Sequence, residues 1–554
     1  MMKEPWNIPQ IWKWVEIKAL GDIVAGGTPS TKEMSYWGDD VNWISPADLT
    51  GYTKKTIARG AKNLTHKGLA KSSARLMPAG SIHFSSRAPI GYVAISSEPL
   101  STNQGFKSLV PAQGVFNEYV YYYLKAAKYI AEERASGTTF REISGTAFGK
   151  LPLPFPPFLE QNQIVAKIEE LFFELDNGIE NLKKAREQLK TYRQAVLKYA
   201  FEGKLTNEWR VRQREAGKPP EPAKKLPEQI KAERKKHYQK QLEDWKMACE
   251  QAKADGKKKP VKPKKPKELP PLTEKELTEL PELPEGWCWT KVGCISESMK
   301  NGIYKPKDFY AEKGIPCLRM YNIENGKIEW FDIKRMILSE DEVKEYELRP
   351  GDLLVNRVNS RELVGKTALI KKNMEKSVYE SKNIRLRLAN SHKIKSGYVN
   401  FWFLIYANGY FNRNAQQTVG MASINQQQLG KMPFPICCAT EQNQVFLEIE
   451  SRLSTCDKME QTIEDSIKKA EVLRQSILKK AFGGELTKDW RGKHPELVTG
   501  ENSAEKLLEK INAEKALSTT GQKKPRSKKM KSKKVKIETA KQKVQVQDVA
   551  NFVE

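Results

Sequence analysis

Apolar residues recur every seven positions through one stretch of the chain: Ile168, Leu175, Leu182, Leu189 and Val196. A second row at 164, 171, 178, 185, 192 and 199 reads Ile, Leu, Gly, Ala, Tyr and Tyr. A heptad pattern of this length predicts a long helix with a coiled-coil seam. A weaker version runs through Ile449, Cys456, Ile463, Ala470 and Ile477. Both stretches follow proline-rich breaks and open on acidic residues, Glu160 and Glu441; both stop at glycine, Gly203 and Gly483/Gly484. Acidic first turns and terminal glycines suit helix ends. At 1.5 Å per residue such a helix would be about 60 Å long. Elsewhere the pattern is of short strands broken by Gly, Pro and Asn, as in GSIHFSSRAPIGYVAI (80–95) and GDLLVNRVNSRELVGKTALI (351–370). Each strand-rich region also holds one aromatic helical stretch, EYVYYYLKAAKYIAEE (118–133) or GYVNFWFLIYANGYFN (397–412).

These elements belong to an internal repeat. Residues 150–210 align without a gap on 431–491, with 21 identities in 61 positions. PLPFPPFLEQNQ matches PFPICCATEQNQ, and RQAVLKYAFEGKLTNEWR matches RQSILKKAFGGELTKDWR. The same register carries AKKLPEQIKAE (223–233) onto AEKLLEKINAE (504–514), a duplicated basic segment that could be a second docking site. IPQIWKWVEIKAL (8–20) matches LPEGWCWTKVGCI (283–295), and the paired tryptophans, Trp12/Trp14 and Trp287/Trp289, are expected as core anchors. Between these landmarks the two domains match only in scattered places. Two helices in one chain most simply pair with each other, and an antiparallel pair would put the domains at opposite ends. A repeated frame with diverged domains is what two different readouts would require, and such a rod suits two DNA half-sites about 34–36 Å apart.

Composition refines this reading. The 554 residues are enough for three to five units, and the net charge of +27 points at a polyanion, nucleic acid first. Residues 211–286 contribute +6 and 492–554 contribute +7, leaving +14 on the rest. The extremes, KKKPVKPKKPK (257–267) and KKPRSKKMKSKKVK (523–536), read as mobile, since lysine repulsion and proline oppose packing. The longest largely apolar stretch, Tyr398 to Ala407, interrupted by Asn400, is too short to span a bilayer, and the N-terminal residues lack a signal-peptide layout. Seven cysteines without a CxxC pair suit reduced thiols in a cytoplasm.

With these motifs in order, the chain resembles, over essentially its whole length, the specificity (S) subunits of type I restriction–modification systems. The resemblance rests on the paired halves, the W-x-W openings, SSRAPIGYVAI…STNQGF, the P-x-P-x-x-E-Q-N-Q helix starts and the AF-x-G-x-LT-x-x-WR helix ends. It implies an α/β (α+β) fold with two target-recognition domains, a pseudo-twofold frame and an antiparallel intramolecular coiled coil. The expected boundaries are 1–158 for the first recognition domain, 159–210 for the first helix and 211–286 for a Pro/Lys-rich linker with a helical segment. The second domain is expected at 287–439, the second helix at 440–491 and a basic tail at 492–554. Each domain would read one half of a bipartite site in double-stranded DNA. The helices would space the domains and dock two methylation (M) subunits, and restriction (R) subunits would join that core. No cofactor is expected on this chain; S-adenosylmethionine, ATP and Mg are implied for the partners, and the setting is cytoplasmic.

Motifs for chemistry of its own are missing from the sequence. An amino-methyltransferase would need [ND]-P-P-[YF]; the nearest match, PFPPF (154–158), lacks the Asn/Asp. Gly365-Lys366-Thr367 hints at a phosphate loop, but Ser360 stands where the first glycine is required. The five histidines (66, 83, 237, 392, 494) form no zinc spacing with cysteine. Alternatives to the specificity subunit are a coiled-coil adaptor without sequence readout and a stand-alone repressor, though no compact helix-turn-helix stands out.

Base edges are read by Arg, Lys, Asn, Gln and Ser, and phosphates chiefly by Lys and Arg. The first domain's candidates are Ser85, Ser86, Arg87, Asn103, Gln104, Lys107 and Arg141. The second domain's are Arg319, Asn322, Asn356, Arg357, Asn359, Arg361, Lys382 and Asn383. Arg87 and Arg357 lead. For partner binding, the duplicated Glu160/Glu441, Gln161/Gln442, Phe201/Phe482 and Trp209/Trp490 are expected to meet the same partner twice.

Overall fold

Proline in a strand removes a donor, so such a strand pairs well on one side only. The two P-x-P segments follow this rule. Pro152–Phe155 pairs antiparallel with Lys13–Glu16, and Pro433–Ile436 pairs with Cys288–Lys291. The outward carbonyls are satisfied by the aromatic helices instead. In the first domain the Tyr119 hydroxyl donates to Pro154 O at 2.5 Å and Tyr123 donates to Pro152 O. In the second, Tyr398 donates to Pro435 O at 3.0 Å and the Trp402 indole to Pro433 O at 2.9 Å. One aromatic pair four residues apart thus does the same work in each repeat.

The computed structural model describes residues 6–520 apart from 138–140, 257, 264, 266–267, 390–391 and 419. The chain divides into two units, Met1–Asp176 with Ala470–Glu554, and Asn177–Lys469. Each unit mixes helix and sheet. The first holds a five-stranded sheet in the order Gly21–Ala25, Phe106–Pro111, Ile82–Ser85, Val93–Ser96, Thr56–Ile57, antiparallel except for its last pair. The second holds Ser296–Asn301, Asn383–Leu388, Leu353–Asn356 and Thr367–Leu369, all antiparallel. These four strands follow the order of the first sheet's first four. The second domain adds a smaller sheet, Tyr310–Ala311, Lys334–Met336, Ile315–Leu318 and Val378–Tyr379. Trp12 and Trp287 are buried in the two main cores, as their pairing implied, while Trp14 and Trp289 are half-buried.

The long helices span Phe158–Phe201 and Ala439–Phe482, each 44 residues. Short helices, Asn207–Glu215 and Lys488–Lys493, follow after a turn. Gly203 (φ +69) and Gly484 (φ +76) make those turns. A Cβ at either would strike a repeat-related proline, Pro284 at 2.1 Å or Pro9 at 2.5 Å, so glycine is required twice over.

The seam differs from the expected one in its second row. Ile168 and Val196 are buried and Leu175, Leu182 and Leu189 half-buried; in the second row Ile164 is buried and Leu171 and Ala185 half-buried, but Gly178, Tyr192 and Tyr199 are exposed. A further inward row lies four residues after the first: Phe172, Ile179, Arg186, Arg193 and Ala200. In the second helix Leu453, Glu460, Ile467, Arg474 and Ala481 do the same. Charged side chains occupy that row because they pair across it. Arg193 reaches Asp457 at 2.6 Å and Glu460 at 3.0 Å in one unit; Arg474 pairs with Asp176 in the other. These are one repeat-related ion pair seen twice, and within each unit the helices run antiparallel. Burial alone would raise the Asp457 pKa; Arg193 and Lys327 overcome it and hold the carboxyl below its usual range.

The basic segments are also more ordered than their composition implied. The linker forms a helix, Leu226–Ala254, with Ala223 and Ile230 buried in the second domain's core. Ala504 and Ile511, their repeat mates at the start of the helix Ala504–Thr520, are buried in the first domain's core. Arg234 donates to Gly293 O at 3.0 Å, and its counterpart Lys515 donates to Lys18 O at 2.6 Å, again at repeat-related carbonyls. One face of each duplicated segment is therefore covered by the chain's own domain. Within 257–267, the Trp245 indole donates to Pro260 O at 2.8 Å and carries Lys259 and Lys262 over its ring at 5.1 and 5.6 Å. Pro260, Lys259 and Lys262 thus contact the linker helix through Trp245, with both lysines still exposed. The 523–536 stretch lies outside the described residues.

Candidate nucleic-acid interface and the duplicated junctions

In each domain the candidate DNA residues gather at the same end of the main sheet, held by the same backbone bonds. Ser86 N donates to Gly105 O at 2.7 Å, and Arg357 N donates to Lys382 O at 2.8 Å. Ser86 O accepts from Ile143 N at 3.1 Å, and Arg357 O from Ile424 N at 2.9 Å. The two domains therefore present different side chains from one loop frame.

In the first domain the cluster centres on a carboxylate that sequence reasoning missed. Glu142 accepts from Lys107 Nζ at 2.9 Å and Ser86 Oγ at 3.3 Å, with Arg87 Nη1 at 3.5 Å. Burial acts against its charge, but Lys107 and Arg87 prevail and hold its pKa below the ordinary value. Ser85 and Ser86 are fully buried, and their hydroxyls donate to Pro89 O at 2.7 Å and Gly105 O at 3.0 Å. Lys107 is also buried. Asn103 caps Gly105 N at 2.8 Å, and Gln104 is exposed, accepting from Thr28. Arg87 is half-buried; Arg141 is exposed and donates to Glu132 O at 2.7 Å.

In the second domain, Asn356, Asn359 and Asn383 form a buried chain. Asn356 Nδ2 donates to Asn383 Oδ1 at 3.1 Å, and Asn359 Nδ2 to Asn356 Oδ1 at 3.0 Å. Arg357 is half-buried and donates to Ile424 O and Ser381 O, both at 3.3 Å. Arg361 and Lys382 are exposed. Arg319 and Asn322 stand on a neighbouring turn. Ser85, Ser86, Lys107, Asn322, Asn356, Asn359 and Asn383, expected at the DNA, are instead buried and hydrogen-bonded within the loops. Turn-forming Ser and Asn commonly bond their own backbone in this way.

Six of the eight partner-binding candidates are likewise buried and held within the chain. Glu160 is fully buried and accepts from the Trp12 indole at 2.8 Å, Thr487 Oγ1 at 2.7 Å and Arg491. Glu441 accepts from Thr206 Oγ1 at 2.9 Å and Arg210 Nη1 at 2.6 Å. Gln161 donates to Pro156 O at 3.0 Å and Gln442 to Cys437 O at 2.8 Å. Phe201 and Phe482 are buried in aromatic clusters with Tyr398/Trp402 and Tyr119/Tyr123. The start of each long helix is thus locked to the end of the other. Only Trp209 and Trp490, both half-buried, retain accessible surface. The repeated Thr and Arg of LT-x-x-WR were the available signal, paired with a repeated Glu.

Among the described residues no cluster of His, Cys, Asp or Glu is placed to hold a metal, and no helix is long and apolar enough to cross a membrane. All seven cysteines are free thiols.

The type I restriction modification DNA specificity domain family matches the chain twice, over residues 9–191 and 284–469. The type I restriction enzyme MjaIX specificity subunit of Methanocaldococcus jannaschii is 42% identical over 186 residues, which is 33% of this chain and 42% of that protein. The type I restriction enzyme EcoKI specificity subunit of Escherichia coli K12 is 25% identical over 539 residues, 94% of this chain and 99% of that protein. A chain solved in work on complex assembly and conformational transition of the type I R-M system superposes with a TM-score of 0.56 at 16% identity, over 87% of this chain and all of that one. That likeness speaks to the fold alone. A frame built twice, with two family matches falling on its two halves, identifies the chain as a member of the type I restriction–modification specificity subunits, which are non-catalytic and leave enzymatic activity to partner subunits.

Proposed function

We propose that each domain reads one half of a bipartite site in double-stranded DNA, and that the helix pair sets the spacing between the halves. One observation carries this reading: two family domains offer different side chains, Ser85-Ser86-Arg87 and Asn356-Arg357, from equivalent strand ends. Identical readers would have kept identical ends. The exposed and half-exposed cations Arg87, Arg141, Arg357, Arg361 and Lys382 are the groups that reach DNA, and the buried Ser and Asn residues hold them in place. Two methylation subunits dock on this frame in a cytoplasmic complex, with Trp209 and Trp490 as the duplicated contact, and restriction subunits join them. S-adenosylmethionine, ATP and Mg belong to those partners.

Mapping methylated adenines in cells carrying the complete system tests this. The expected result is a bipartite motif; a continuous one would overturn the reading. Arg87→Ala and Arg357→Ala should each relax a different half, at a cost of about 1–3 kcal/mol in site binding. Unchanged motifs in both variants would remove these two residues from the interface.

A further inference from the structure

The second domain carries a group of aromatic side chains that its fold holds out of the core. Tyr321 is 70% exposed, Phe331 82% and Trp330 44%. They stand on two turns, 319–322 and 329–332, that are clamped to each other. The clamp is Asn322, which is 1% exposed and donates to Glu329 O at 3.2 Å and Phe331 O at 2.8 Å. Arg319 adds bonds to the Asp332 backbone and carboxylate, both at 2.9 Å, and lies over the Tyr321 ring at 5.6 Å. Asp332 sits at φ +47, an uncommon conformation for a residue with a side chain. Large aromatics displayed by a fixed turn mark a contact surface.

The position of these turns points to the contact. Leu318 O accepts from Glu380 N at 3.1 Å and Asn383 Nδ2 at 3.3 Å, and Glu380 Oε1 accepts from Met320 N at 2.8 Å. The aromatic turns are therefore bonded to the 380–383 segment, which carries exposed Lys382 and holds Arg357. They continue the surface already assigned to DNA. The exposed aromatics described in the first domain, Tyr52, Tyr129 and Phe158, stand on separate segments.

We propose that Tyr321, Trp330 and Phe331 form a preorganised stacking surface for nucleobases in the half-site read by the second domain. Rings of this kind hold unstacked bases or wedge into a flexible base step. Arg319 and Asn322 are then positioning residues for the surface. The inference rests on the DNA-reading proposal above.

The test uses the complete system with Trp330→Ala, Phe331→Ala and Phe331→Trp. Methylated positions are mapped in cells, and binding of the purified complex is measured on a duplex carrying the mapped site with 2-aminopurine in the second half. The alanine variants should bind roughly 5- to 100-fold more weakly, as expected for a lost base–aromatic stack. They should relax only the second half-site, and Phe331→Trp should restore binding and the change in 2-aminopurine fluorescence. Alanine variants with the wild-type motif and affinity would overturn the stacking surface while leaving the bipartite reading intact. Reduced assembly of partner subunits at unchanged DNA affinity would assign the patch to a protein contact, and also overturn it. A continuous wild-type motif would remove the DNA reading itself, and this inference with it.

Discussion

Glu441 is 2% exposed and held by Arg210 and Thr206. Removing Arg210 leaves a buried carboxylate with one neutral donor, which in comparable sites costs about 3–5 kcal/mol. Arg210→Met should therefore destabilise the Asn177–Lys469 unit by that order in urea unfolding, while Arg59→Ala at the exposed pair with Asp39 should change stability by under about 1 kcal/mol. His83 gives the acid-side prediction. Its ring is buried, and burial pushes its pKa down to about 3. An unfolded chain takes up that proton near pH 6.5, so below it the unfolded state binds more protons and stability falls with pH. The first domain should lose up to about 1.4 kcal/mol per pH unit there. His83→Gln should flatten the slope between pH 6 and 4; an unchanged slope would mean other groups set it. At this scale the sequence identified residue types correctly but not their orientation. Nothing in SSR or NSR says that Ser86 or Asn359 turns inward, because that depends on which carbonyls the neighbouring loops leave open.

The repeat and the starts of the long helices were legible because glycine, proline and a seven-residue period leave strong local marks, while the expected ends at 210 and 491 ran past the breaks after Phe201 and Phe482. The further inward row of the seam was not legible. Its inward positions include Arg186, Arg193, Glu460 and Arg474, and a search for apolar residues passes over charged ones. The correction is measurable. Tyr192→Ser and Tyr199→Ser should change stability by about 0.5 kcal/mol or less, whereas Leu197→Ala should cost about 2–4 kcal/mol. The sequence marked a helical segment in the linker but not its length: Leu226–Ala254 is rich in Lys and Glu, and little of it is buried beyond Ile230. Ile230→Asp should release it from the second domain, read as faster amide exchange across 226–254 with the main sheet still protected. The common sheet of the two domains left almost no trace, since strand order is fixed by backbone pairing that many sequences satisfy.

For the molecule as a whole, charge and duplication do different work. The duplicated frame fixes where the reading groups stand, through ion pairs made once in each unit: Glu160–Arg491 and Glu441–Arg210, Asp176–Arg474 and Asp457–Arg193. Charge acts on affinity without regard to sequence, because neutralised phosphates release counterions whatever the bases. Residues 521–554 hold 11 Lys+Arg against 3 Asp+Glu, a large share of the +27 in a short span. If these lysines meet phosphates, deleting 521–554 should weaken binding of the complete complex to unrelated DNA and reduce the slope of log affinity against log salt, by about 0.9 per lost contact. The methylation motif should stay the same, since the groups proposed to read bases are elsewhere. A changed motif with an unchanged salt slope would reverse that division and place sequence readout in the tail.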